Sequence, residues 1–156
     1  MKISVSVQSK HEPDIIIALF SDPKFFFEML LQFKIMEFEN QNNFFIYGEL
    51  TSLFSLVDIE AKVTRYVSHA GVIYVLNVAP RLVKLPPGKE LDRSFKPTPP
   101  KGNGKITVNR AGSSINVEFD YEGEREKMVV NSLTKRFKSL RNLDDVIWKE
   151  RVSRHL

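Results

Sequence analysis

The chain of 156 residues contains no cysteine, and this absence removes several kinds of chemistry at once. Disulfide bonds, thiolate metal ligands and cysteine nucleophiles are all excluded. The chain also lacks a run of about 18 consecutive apolar residues, which is the length that a membrane-spanning helix requires. With 42% hydrophobic and 27% charged residues, the composition is typical of a globular domain.

The familiar sequence signatures of catalysis and metal binding are missing as well. The three histidines, His11, His69 and His155, have no second histidine or carboxylate at the spacing of metal ligands. No nucleophile elbow, phosphate-binding loop or dinucleotide fingerprint occurs. We therefore expect no metal and no obligatory cofactor. The sequence does not predict an enzyme, although residues brought together from distant segments would leave no trace in it.

The first nine residues alternate Ile3, Val5 and Val7 with polar residues, which is the pattern of a strand and not of a signal peptide. Together with the missing membrane span, this pattern predicts a cytoplasmic protein. A chain of this length is sufficient for one core, so we expect residues 1–156 to form a single domain.

Positive charge is concentrated in one segment. Residues 80–110 carry 8 basic and 2 acidic side chains, whereas residues 1–79 carry 6 basic and 9 acidic ones. Six of the 8 prolines also lie between residues 80 and 104, a segment that breaks the strand pattern and is too long to be a tight hairpin. Such a stiff basic segment can attract an anionic group, or it can be a solvated loop.

Apolar periodicity divides the chain into a strand, two short helices, a run of strands and a final helical region. The predicted strands cover residues 2–8, 34–40, 44–51, 54–67, 72–79, 105–110 and 114–121. A first predicted helix is opened by Glu12-Pro13-Asp14 and stopped by Ser21-Asp22-Pro23. Two more cover residues 24–32 and 125 to about 141, and a last helical piece contains Trp148. The strand at 72–79 is apolar on both faces, which favours a central position or a partner subunit across its outer face.

This order of elements, and the segment Leu19-Phe20-Ser21-Asp22-Pro23-Lys24-Phe25 at the break between the two short helices, resembles the START-like or SRPBCC superfamily. In particular, the chain resembles small uncharacterised archaeal members of that superfamily. The resemblance implies an α+β helix-grip fold, in which a curved antiparallel sheet of six to seven strands wraps around a long C-terminal α-helix. It also implies an apolar cavity between sheet and helix that holds lipids or other amphipathic molecules.

Strand alternation assigns the walls of such a cavity. Ile59 and Val63 share one face of their strand, whereas Asp58 and Glu60 lie on the opposite face, outside the cavity. The apolar walls are expected to come from Ile59, Val63, Ile115, Val117, Phe119, Val130, Leu133 and Phe137. Three consecutive phenylalanines, Phe25 to Phe27, point in different directions around a helix, so we expect that not all three face one core.

The ligand predicted by this pattern is small, amphipathic and anionic, because a basic mouth on an apolar cavity suits a phosphorylated head and an apolar tail. Coenzyme A or acyl-coenzyme A is the first candidate. Its phosphates would bind Arg81, Lys84, Arg93, Lys96 and Arg136. Arg65 shares the inner-face parity of Ile59 and Val63, so it either meets an anion there or leaves the face where the strand bends.

Two alternatives stay open at this point. The same cavity could serve a cyclase- or hydrolase-like enzyme, or residues 80–110 could bind a nucleic acid or a membrane surface. The sequence argues against nucleic acid, because it contains no recognition helix, zinc module or RNA-binding aromatic signature. A homodimer is compatible with the apolar strand at 72–79.

Overall fold

The structure is a computed structural model that describes residues 1–51, 56–84 and 97–155, with side chains described as far as Arg151. Seven antiparallel strands form one sheet in the order β1-β7-β6-β5-β4-β3-β2. The strands are β1 Lys2–Ser6, β2 Lys34–Asn40, β3 Asn43–Thr51, β4 Leu56–Ser68, β5 Gly71–Val78, β6 Gly102–Ala111 and β7 Ser114–Gly123. The helices are α1 Pro13–Phe20, a π-helix Lys24–Leu30, α2 Glu126–Phe137, a 3-10 helix Lys138–Asn142 and α3 Leu143–His155.

This architecture confirms the predicted α+β class, with a seven-stranded antiparallel sheet and a C-terminal helical region. The predicted terminal helix at 125–141 is divided, because its last turn continues as the 3-10 helix. β6 begins at Gly102, three residues before its predicted start at Lys105. Gly102 and Asn103 pair with both neighbouring strands, so the ladder extends into a stretch whose glycines conceal the pattern.

The core lies on the inner face of the sheet, where alternate residues of every strand meet the helices. Val72, Tyr74 and Leu76 of β5 face inward and are buried, while Val75 between them is 40% exposed on the outer face. Helix α2 lies on the inner face and packs against β1 and β7 at one edge of the sheet and against β3 near the other edge. Helix α1 packs over β5, β6 and β7. Strands near both edges of the sheet therefore contact the terminal helix, which is the helix-grip arrangement.

The break between the first two helices follows the predicted motif. Helix α1 ends at Phe20, and the Asp22 carboxylate accepts a hydrogen bond from the backbone N–H of Lys24 at 3.1 Å, where the π-helix begins. The Tyr74 hydroxyl donates to the Phe20 carbonyl at 2.5 Å, so β5 holds the end of α1 in place. Burial raises the pKa of Tyr74 above its ordinary value, and the hydroxyl stays a donor.

The expectation for the three phenylalanines is wrong, because Phe25, Phe26 and Phe27 are all buried in one core cluster. The π-helix lies between α1, β2 and α3, so apolar neighbours surround it on several sides. The rings of Phe26 and Phe27 contact Tyr74, with centroids 5.2 and 4.9 Å apart. The rule that a helix exposes one face does not apply to a segment that is enclosed.

Candidate functional site

The eight predicted wall residues lie together in the interior. Ile59 and Val63 come from β4, Ile115, Val117 and Phe119 from β7, and Val130, Leu133 and Phe137 from α2. All eight are at most 4% exposed and belong to one apolar cluster. The Phe119 and Phe137 rings are 6.2 Å apart between centroids, so α2 contacts β7 directly. That these residues border a space for a ligand stays a prediction.

Arg136 sits where α2 meets the edge of the sheet, and its guanidinium holds backbone carbonyls. Nη1 donates to the Leu31 carbonyl at 2.9 Å and to the Gln32 carbonyl at 3.4 Å, and Nη2 donates to the Glu49 carbonyl. Leu31 and Gln32 lie just before β2, which starts at Lys34, and Glu49 lies on β3 beyond Tyr47, the last β3 residue that pairs with β2. Burial lowers the pKa of Arg136 below its ordinary value.

The position of Arg136 also depends on an aromatic ring. Its guanidinium carbon lies 4.9 Å from the centroid of the Phe33 ring, which is a cation–π contact. The Phe33 ring can lie there only because Gly48 has no side chain, since a Cβ at Gly48 would lie 2.3 Å from the ring. Arg136 therefore joins α2, the end of the π-helix and β3, in addition to any role toward a phosphate.

Arg65 lies near the far end of β4, and its guanidinium is only partly buried. Its Nη1 donates to the Ser21 carbonyl at 2.6 Å, and its Nε donates to the Asn42 side-chain oxygen at 3.1 Å. The register keeps Arg65 opposite the inward-facing Tyr74, so the parity argument holds, but the side chain extends past the core to the helix break. Both described partners are neutral acceptors.

The remaining predicted phosphate ligands lie in the basic segment after β5. Arg81 and Lys84 are exposed, and the Arg81 backbone has φ 62°, in the left-handed region. Arg93 and Lys96 fall outside the described residues. About 16 Å of strand separates Arg65 from Glu60, the β4 residue that the Arg81 backbone contacts. Arg65 and Arg81 therefore do not belong to one described cluster.

Two buried carboxylates on the outer face of β4 are the feature that the sequence did not reveal. Asp58 and Glu60 do lie on the predicted outer face, yet they are only 2% and 0% exposed. The Tyr47 hydroxyl donates to Asp58 at 3.1 Å. Glu60 accepts backbone N–H groups of Arg81 at 3.1 Å and Val83 at 3.0 Å. The chain after β5 therefore folds over this face.

A second small apolar cluster accompanies these carboxylates, where Val83 and Tyr47 are buried against Met36 and Phe45. One sequence signal could have revealed it. Phe45 and Tyr47 alternate with the inward-facing Phe44 and Ile46, so β3 is apolar on both faces. A strand that is apolar on both sides is covered on both sides, and the neighbouring Asp58 and Glu60 share that cover.

A groove and an open recess, both lined by described residues, lie next to the helix break. A groove of about 240 Å³ is lined by residues of α1, the helix break and α3 that include Phe25 and Ile147. An open recess of about 530 Å³ is lined by Ser21, Gln41, Asn42, Arg65, Tyr66 and Val67. No helix in the described part of the chain has the length and apolar character to cross a membrane.

Solved structures with a similar fold include a STAR-related lipid transfer protein from Xanthomonas axonopodis. It matches with a TM-score of 0.62 and 14% sequence identity, over 90% of this chain and 82% of that chain. A protein from Deinococcus radiodurans matches with a TM-score of 0.50 and 12% identity, over 91% of this chain and 94% of that chain. At such identities the likeness shows the fold alone, which is START-like as the sequence resemblance implied.

No curated protein sequence matches this chain. The resemblance to archaeal members stays a prediction. One family model, whose description is only "-like:-like", matches residues 1–156. The chain therefore belongs to the family that this model describes, and its fold is START-like.

Proposed function

We propose that this chain is a cytoplasmic binding or carrier protein for an amphipathic ligand that bears phosphate, with coenzyme A or acyl-coenzyme A as the first candidate. One observation carries the proposal. The inner face of the sheet is apolar from edge to edge, and α2 is held over it by β1 and β7 on one side and by β3 on the other. A START-like fold of this kind is also the fold of the STAR-related lipid transfer protein.

The apolar part of the ligand would bind between the sheet and α2, against Phe119, Leu133 and Phe137. Each methylene group removed from water contributes about 0.8 kcal/mol. An acyl chain of even moderate length would therefore supply most of the affinity. Because these side chains are at most 2% exposed, ligand entry would require α2 or its neighbours to move outward.

The phosphate groups would bind the basic segment that follows β5. Arg81 and Lys84 are exposed there, and Arg93 and Lys96 belong to the same stretch of sequence. The guanidinium of Arg136 already holds carbonyls of Leu31, Gln32 and Glu49, so its contribution to an anion would be mainly its charge. Arg65 belongs to a separate place on the surface, beside the helix break.

Isothermal titration calorimetry with coenzyme A, a fatty acyl-coenzyme A and the free fatty acid tests the proposal. We expect the acyl-coenzyme A to bind more tightly than either of its parts, because it engages both the apolar and the basic region. Failure of all three to bind at high micromolar concentration would contradict the proposal. If the free fatty acid binds as tightly as acyl-coenzyme A, the phosphate groups contribute nothing to recognition, and that part of the proposal is wrong.

A matched pair of variants tests the basic segment. The double substitution Arg81→Gln with Lys84→Gln should weaken coenzyme A binding by about tenfold, through the loss of charge-assisted contacts. Arg141→Gln with Lys149→Gln removes the same charge from exposed positions on the C-terminal helices and should leave binding unchanged. Equal losses in both would instead indicate a nonspecific polyanion binder, whose affinity for unrelated polyanions falls steeply with salt.

A further inference from the structure

The open recess beside the helix break is formed by three segments that are distant in sequence. Ser21 comes from the end of α1, Gln41 and Asn42 from the turn between β2 and β3, and Arg65, Tyr66 and Val67 from β4. Its volume is about 530 Å³, and it opens widely to solvent. Arg65 is the one charged residue among those that line it, so the lining carries a net positive charge.

The Arg65 guanidinium has donors beyond those that hold it in place. A guanidinium has five N–H donors, and the described contacts use one on Nη1 and the one on Nε. Nη2 donates to no residue in the described part of the chain. Among those residues, no carboxylate lies within 4 Å of Arg65, whereas Arg110 on β6 is paired with Asp14 at 2.6 Å. The charge of Arg65 is thus fixed in position and not neutralised by an ion pair.

The surroundings of Arg65 add donors and an apolar rim. The Asn42 side chain offers its oxygen to Arg65, which directs its amide N–H groups away from the guanidinium. Gln41 and Asn42 are exposed, and Tyr66 and Val67 are 57% and 55% exposed. One fixed guanidinium with the side-chain amides of Gln41 and Asn42 beside it suits a group with several acceptor oxygens, such as a phosphate.

We propose that this recess is a second anion site, in which Arg65, with Gln41 and Asn42, binds a phosphate group, either free or as a monoester headgroup. Tyr66 and Val67 contact the organic part of a monoester. The site lies about 16 Å along β4 from Glu60 and the Arg81 backbone, so it is separate from the basic segment of the proposed carrier function.

Titration of the protein with inorganic phosphate, followed by amide chemical shifts, tests this site directly. We expect saturable shifts at Gln41, Asn42 and Tyr66 that persist in the double variant Arg81→Gln with Lys84→Gln, whether or not Val83 near the basic segment also responds. Sodium acetate at equal ionic strength should bind more weakly. Shifts spread over all basic surfaces, or confined to the segment after β5, would overturn the proposal.

Two substitutions identify the residue responsible. Arg65→Gln should weaken phosphate binding by about tenfold or more, because a charge-assisted hydrogen bond is lost. Arg110→Gln is the matched control, since it removes an arginine already paired with Asp14, and binding should not change. If Arg65→Gln fails to fold, Arg65→Lys keeps the charge without the fork and should show an intermediate loss. Wild-type affinity in a folded Arg65→Gln protein would overturn the proposal.

The source of the phosphate is decided by a parallel arm. Co-sedimentation with phosphatidylcholine vesicles, with and without phosphatidic acid, shows whether a membrane headgroup reaches the recess. Arg65-dependent co-sedimentation assigns the site to a lipid headgroup, whereas phosphate shifts without it assign the site to a soluble phosphate. The double variant Arg81→Gln with Lys84→Gln should leave both results unchanged. The recess proposal can therefore be wrong while the carrier function is right, and the carrier function can be wrong while the recess proposal is right.

Discussion

The inner and outer faces of the sheet are both buried at β3 and β4, but the interior on each side is of a different kind. On the inner side, Ile59, Val63 and their neighbours form one apolar cluster against the helices. On the outer side, Asp58 and Glu60 are equally buried, and hydrogen bonds hold the chain over them. Alternation along a strand thus fixes the side on which a residue lies, whereas burial depends on what returns to cover that side.

The largest expected effect concerns the apolar side. Phe137→Ala removes a ring that is 1% exposed and in contact with Phe119, and it should lower the free energy of unfolding by about 3–5 kcal/mol. Urea denaturation followed by circular dichroism measures the loss. Trp148→Ala, at a side chain that is 67% exposed on α3, should change stability by only about 0.5 kcal/mol. Similar losses in both variants would mean that α2 is not gripped by the sheet.

The next effect concerns the polar side. Glu60→Gln leaves only one oxygen to accept the two N–H groups of Arg81 and Val83, and it should lower the free energy of unfolding by about 2 kcal/mol. Glu118→Gln makes the same change on the outer face of β7, where the carboxylate is 3.4 Å from Lys2 in a surface pair. That control should cost less than about 1 kcal/mol. Equal costs would remove the contrast between the covered and open parts of this face.

The third effect concerns Arg136, which joins α2 to the segment before β2 and to β3. Arg136→Lys keeps the charge, but a single ammonium group cannot reach the carbonyls of Leu31 and Glu49 together. We expect a loss of about 1–2 kcal/mol in denaturation experiments. Arg110→Lys, in an exposed ion pair, should cost at most about 0.5 kcal/mol. A neutral Arg136→Lys would show that the carbonyls find other partners.

The smallest effect concerns Asp144, a carboxylate nearer the surface than the buried Glu60. Asp144 accepts the Ser9 hydroxyl at 2.6 Å and the Lys10 N–H at 2.9 Å, and these hydrogen bonds lower its pKa below the ordinary value. The associated stability is therefore present above the ordinary aspartate pKa of about 3.9 and is lost as the pH falls through the lower folded value. A carboxyl NMR titration should give this low pKa, and Ser9→Ala should raise it. An unchanged pKa in Ser9→Ala would contradict the assigned cause.

Much of the inner side could be predicted from sequence, because a strand pattern is local. The parity of Ile59, Val63 and Phe119, and the break at Asp22-Pro23, were all correct. The break is local too, since Pro23 prevents Asp22 from staying helical. Even the parity of Arg65 was correct, although its partners are a backbone carbonyl and an amide instead of an anion or a carboxylate.

The contacts that were missed depend on segments far apart in the chain. The segment after β5 folds back over Glu60, where Arg81 and Val83 bind it, and no apolar periodicity in the sequence indicates this turn of the chain. Arg136 meets Leu31 across more than a hundred residues. Hydrogen bonds to backbone carbonyls leave no residue-type signal, because every residue has a carbonyl. For that reason the sequence indicated the charge of Arg136 but not its partners.

The strand order has a consequence for how the protein is made. Among the seven described strands, β1 is synthesised first, yet it pairs with the last of them, β7, with Ile3 opposite Phe119. Until β7 is made, β1 lacks the strand with which it pairs in this sheet, whereas the described strands from β2 to β6 can pair in the order in which they are made. Closure is therefore a late, long-range step, and contacts of such wide sequence separation slow folding.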